Sequence, residues 1–138
     1  MKNVIITALF SVFALFSIES KAQCIPSCGT WTVENKTGCE LELFWETPPP
    51  CTVILGAGTL APNSGSINLL APCIGTDCGP VCPWALRVKN TNFSLGAHDP
   101  SGTVYYNVIP CSKCPSGWIK ATYLINGSGS YSLIFECQ

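Results

Sequence analysis

Cys39-Glu40-Leu41-Glu42-Leu43-Phe44-Trp45-Glu46 alternates apolar and acidic residues with period two. Successive side chains of an extended strand leave on opposite faces, so Cys39, Leu41, Leu43 and Trp45 share one face and Glu40, Glu42 and Glu46 the other. Phe44 is the one exception. The run stops at Pro48-Pro49-Pro50, which cannot donate to a strand ladder. The segment reads as a half-buried strand, its acidic face solvated and unsuited to edge pairing.

The same period recurs on either side. Strands are expected at Thr30–Asn35, Cys51–Leu55, Ser66–Leu70 and Trp84–Asn90, the last with Trp84, Leu86 and Val88 inward and Arg87 and Lys89 outward. Further strands are expected at Thr103–Ile109, Trp118–Asn126 and Ser130–Cys137. The last two face each other across Asn126-Gly127-Ser128-Gly129, whose residues tolerate positive φ. Residues 23–138 show no helical periodicity, no internal repeat and no linker. The expectation is one all-β domain: a disulfide-rich antiparallel β-sandwich of about seven or eight short strands, with a flattened barrel as the alternative.

Residues 1–22 have the parts of a secretory signal: Lys2, an apolar run from Val4 to Ile18, and the small-residue exit Ser20-Lys21-Ala22. The run is interrupted by Thr7, Ser11 and Ser17 and is shorter than the roughly 20 residues a helical span needs. The remaining chain is expected in the periplasm, at the cell surface or in the medium, without inserting into a membrane. Beyond the leader, Lys36, Arg87, Lys89, Lys113 and Lys120 are scattered and slightly outnumbered by acidic residues. Nucleic-acid binding needs clustered cations and is excluded as an expectation.

All ten cysteines follow the leader: Cys24, Cys28, Cys39, Cys51, Cys73, Cys78, Cys82, Cys111, Cys114 and Cys137. An even number in an exported chain implies a full set of bridges whose connectivity the sequence does not reveal. Cys73 to Cys82 holds three cysteines among Gly and Pro, and reads as a compact pinned loop that presents Asp77. Cys111-Ser112-Lys113-Cys114 has redox spacing, but Pro110 and Pro115 place it in a loop rather than at a helix start. With Cys78 and Cys82 the same sulfurs have zinc spacing, although an oxidising compartment favours disulfides. No metal or cofactor is expected.

His98 is the only imidazole, in a turn beside Asp99, and adjacency in sequence does not make a catalytic pair. Trp45 and Trp84 share faces with leucines and are assigned to the core. Trp31, Trp118, Tyr105 and Tyr106 are candidates for ligand or partner contact, with Asp77; of Tyr105 and Tyr106, one must face solvent. Asn35-Lys36-Thr37, Asn92-Phe93-Ser94 and Asn126-Gly127-Ser128 fit the glycosylation sequon, but the leader reads as bacterial and no glycan is expected.

Trp31-Thr32-Val33-Glu34-Asn35 leading to Cys39 and Trp45, then Leu60 to Ser66, then Thr76-Asp77-Cys78-Gly79, resembles thaumatin-like proteins over less than half the chain. That family's signature is Thr-Gly-Asp-Cys where this chain has Gly75-Thr76-Asp77-Cys78, and its acidic cleft residues have no counterpart. The resemblance implies a stapled sandwich and a carbohydrate-directed surface.

Ionisable groups are sparse, so the expectation is a non-catalytic binding or structural domain, a subunit of a cell-surface or extracellular assembly. Its partner is then a surface protein or a glycan. The alternatives are a carbohydrate-binding module, an inhibitor with an exposed stapled loop, and a hydrolase using Glu40, Glu42 or Asp77.

Overall fold

The computed structural model describes residues 28–138, so the leader expected over 1–22 and Cys24 lie outside the described residues. The strands are β1 Thr30–Asn35, β2 Leu41–Glu46, β3 Ile54–Leu60, β4 Ile67–Leu70, β5 Ile74–Thr76, β6 Gly79–Val81, β7 Ala85–Val88, β8 Ser94–Gly96, β9 Val104–Pro110, β10 Trp118–Gly127 and β11 Ser130–Cys137. They form a five-stranded sheet ordered β4-β1-β11-β10-β9, a four-stranded sheet ordered β3-β2-β7-β8, and the separate β5-β6 hairpin. The all-β, sandwich-like class holds.

The alternation of β2 is realised as read. Leu41, Leu43 and Trp45 are buried while Glu42 and Glu46 face out, holding Lys89 at 2.8 Å and Arg87 at 3.0 Å on the neighbouring strand and the turn beyond it. Ring contacts tie the two sheets: Trp31 of β1 meets Trp45 of β2 edge-on at 5.7 Å, and Phe93, before β8, meets Phe135 of β11 at 5.7 Å. Leu43, Leu86, Leu95, Ile119, Leu133 and Phe135 fill the space between. Burying such a side chain contributes roughly 1.5–3 kcal/mol relative to leaving it exposed.

Three features depart from the sequence expectation. β1 runs parallel to β11, with Trp31 opposite Tyr131 and Val33 opposite Leu133, whereas the other strand pairs are antiparallel. Parallel neighbours need a crossover rather than a tight turn, and here the rest of the domain supplies it. The Cys73–Cys82 segment, expected as a loop, contains a strand pair, because β5 and β6 pair within it around the Asp77-Cys78 turn, which Gly79 closes at φ 97°. Trp84 is not core. β7 begins only at Ala85, so Trp84 lies past the sheet end, 38% exposed.

Bridges join Cys28 to Cys82, Cys39 to Cys111, Cys51 to Cys78 and Cys114 to Cys137. Cys73 is disulfide-bonded as well, and no cysteine among the described residues is free. Such pairing is the state of an oxidising compartment. No helix among the described residues is long and apolar enough to cross a membrane.

Candidate binding surface

β9 and β10 pair antiparallel, with Ala121 opposite Tyr105 and Ile119 opposite Ile109. Ile119, Ala121 and Tyr123 are buried, so the alternate residues Trp118, Lys120 and Thr122 leave on the outer face. Between the two registered pairs β9 spends three residues where β10 spends one. A bulge absorbs them, and Asn107 takes φ 55°, a conformation asparagine tolerates better than most side chains. Tyr105 turns inward and Tyr106 outward as a result.

Tyr106 is 54% and Trp118 37% exposed, Trp118 on the outer face of β10 and Tyr106 in the irregular part of β9 that lies opposite Lys120. Pro110 opposite Trp118 and the exposed Leu124 further along β10 extend the apolar area. On its other side Lys120 reaches Glu136 of β11 at 3.3 Å, and Lys36 reaches the same carboxylate at 3.3 Å and Glu34 at 3.8 Å. Hydrogen bonds from Lys36 and then Lys120 hold the Glu136 carboxyl below its ordinary pKa. The charges beside the two rings are therefore mutually compensated. The face is also held firmly from below, because Cys111 and Cys114, both buried, link the β9–β10 connection to Cys39 and to Cys137 at the end of β11.

The other sequence-derived candidates are placed elsewhere. Trp31 is a core residue, 3% exposed, stacked on Tyr123 at 5.7 Å and tilted against Tyr131 at 4.8 Å, so the reading of Trp31 as a contact residue is corrected: its strand is flanked on both sides in its sheet and the ring meets Trp45 of β2. Tyr105 is likewise turned away from a partner. Its hydroxyl donates to the Asp99 carboxylate, which also accepts the Gly96 amide at 2.9 Å, and burial and that bond push its pKa well above the usual tyrosine value. Burial pushes the neighbouring Tyr123 up to about 12, and its hydroxyl has no partner among the described residues.

Asp77 is exposed at the tip of the β5-β6 hairpin and lines a concavity of about 450 Å³ with Pro50, Cys51, Thr52, Val53, Gly75 and Thr76. Cys111 and Cys114 do not pair with each other, so the redox spacing between them is not a dithiol unit, and their sulfurs belong to different bridges from those of Cys78 and Cys82. Asn35 is fully buried. Its amide nitrogen donates to the carbonyls of Cys39 and Ala61, and its oxygen accepts from both the Thr37 amide and the Thr37 hydroxyl, which removes it as a glycan acceptor.

Two surface features had no clear signal in the sequence. Trp84 stacks on His98 at 5.6 Å, the imidazole lying so close over Gly96 that an added Cβ there would fall 2.4 Å from it. Ile54 and Leu55 on the edge strand β3, and Leu70 on the edge strand β4, are exposed aliphatics. The glycines at 56 and 58 hide the period of β3, and nothing local to Trp84 shows where its strand begins. In comparisons with known proteins the chain matches no family model, no curated protein and no solved structure.

Proposed function

We propose that the chain is an exported, non-catalytic binding domain, a subunit of a cell-surface or extracellular assembly, that meets a protein partner through the outer face of β9 and β10. The observation that supports this most is the exposure of Trp118 and Tyr106 on two paired strands whose neighbouring charges are already paired. Interface hot spots are rich in Trp and Tyr, surrounded by a polar rim that excludes water. Here Pro110 and Leu124 extend the apolar centre, and Lys120, Glu136 and Lys36 form the rim. Ordering costs little because the bridges below already fix the strands. A non-catalytic role is supported by Glu42 and Glu46, each of which is committed to a cation on its own sheet.

A second reading, a neutral glycan lying across both rings, is favoured by Lys120 and Thr122 standing beside them as hydrogen-bonding groups. One comparison separates the two. The oxidised protein is used to capture partners from its native envelope or medium, beside a Trp118→Ala/Tyr106→Ala variant, and both are applied to an array of neutral oligosaccharides. The expected result is a defined protein partner whose affinity falls by about tenfold or more in the variant, with the melting temperature preserved. Array binding that the variant loses, with no protein retained, assigns the face to glycans. A partner held equally by both proteins overturns the proposed face.

A further inference from the structure

The bridges fall into two environments. Cys111 and Cys114 are buried, so the links to Cys39 and Cys137 are shielded by the core. Cys78 is exposed in the two-residue turn between β5 and β6, and its partner Cys51 lies half-buried in the loop after Pro48-Pro49-Pro50. Among the described residues the hairpin has no third strand. Thr76 donates to the Gly79 carbonyl and accepts from the Cys78 amide, so the side-chain bonds at the tip stay inside the hairpin. The loop opposite is closed on itself too: the Thr47 hydroxyl donates to the Cys51 carbonyl and accepts the Val53 amide. These two self-contained walls, Pro50–Val53 and Gly75–Asp77, face each other across the 450 Å³ concavity. The Cys51–Cys78 bond is what ties one to the other.

We infer that Cys51–Cys78 is a thiol–disulfide exchange site, a clasp that an extracellular dithiol opens at Cys78 to part the hairpin from the proline loop. The thiolate of the dithiol attacks the exposed Cys78 Sγ, and the Cys51–Cys78 bond breaks. Its electron pair leaves on Cys51 Sγ, which takes up a proton. The second thiol of the reagent then attacks its own sulfur in the mixed disulfide and releases Cys78 as a thiol. The reagent ends as a disulfide and the protein gains two electrons and two protons. Access decides which bridge reacts, since exchange requires the attacking sulfur to approach along the bond. Cys73 and Cys82 are exposed too, but the partner of Cys82, Cys28, is packed against the core whereas Cys51 is not, and with Cys73 bonded as well the hairpin stays tethered at its base while its tip is released.

Timed incubation of the oxidised protein with dithiothreitol without denaturant, acid quenching, thiol alkylation and peptide mass mapping test the assignment. Cys51 and Cys78 should be labelled first, at a rate at least tenfold above Cys39, Cys111, Cys114 and Cys137. Hydrogen exchange of that two-thiol species should rise in residues 50–53 and 74–81 and stay unchanged in β10 and β11. Equal labelling of all cysteines, first labelling of Cys28 and Cys82, or two-thiol protein with unchanged exchange around the concavity each overturn it. A Cys51→Ser/Cys78→Ser variant gives the same exchange readout without reductant. If that variant does not fold, the bond is a structural staple and the inference fails.

Discussion

Asn35 shows how one side chain can be both a surface motif on paper and a structural hub in space. Its two donors and its acceptor oxygen are all engaged, bracing the β1–β2 turn against Ala61. Asn35→Ala leaves two carbonyls, an amide and a hydroxyl without these partners, and an unsatisfied buried group costs about 1–3 kcal/mol. The variant is therefore expected to lose about 3 kcal/mol, read from the shift of a urea midpoint followed by tryptophan fluorescence. A loss below about 1 kcal/mol would mean that water takes over the network. The same scale separates the tryptophans. Trp45 was legible because its strand carries it among leucines, whereas Trp31 and Trp84 exchanged places relative to expectation. Trp31 sits on a central strand and Trp84 past the end of its own, and strand position within a sheet is set by partners remote in sequence.

Among the elements, the β10-β11 hairpin was readable because its turn chemistry is local. Gly127 and Gly129 take φ of 149° and 70°, as the Asn-Gly-Ser-Gly sequence implies. β3 was only partly readable: it starts at Ile54 rather than Cys51 and carries a bulge against β2 between Leu43 and Phe44. A pair of glycine substitutions separates backbone strain from space, since neither site has an atom within 4 Å of an added Cβ. Gly129→Ala must hold a left-handed residue and is expected to destabilise by about 1 kcal/mol. Gly56→Ala has no such demand and should be neutral or stabilise by about 0.5 kcal/mol through the unfolded chain. Equal effects in denaturant titrations would show that the turn relaxes to another type.

For the molecule as a whole, the disulfides replace part of what a larger core would supply. Cys39–Cys111 spans 72 residues and joins the entry of β2 to the exit of β9, across the two sheets, whereas Cys114–Cys137 spans 23 residues. On chain entropy, replacing each pair by serines should cost about 4 and about 3 kcal/mol respectively, with the interior polar substitution adding to both. Thermal unfolding of the two variants checks that order, and a reversal would place the stabilisation in native packing instead. Fold class and an oxidising setting were legible because alternation and cysteine count are properties of the chain itself. The pairing of cysteines, the parallel contact of β1 with β11 and the placing of Tyr106 and Trp118 on paired strands depend on three-dimensional neighbours. That parallel contact has one more consequence. β1 lies between β4 and β11, so the first of the described strands waits for the last of them before its second flank is filled. Until β11 is in place the β4-β1 pair and the β10-β9 pair have no strand to join them, so the five-stranded sheet closes in a single late step.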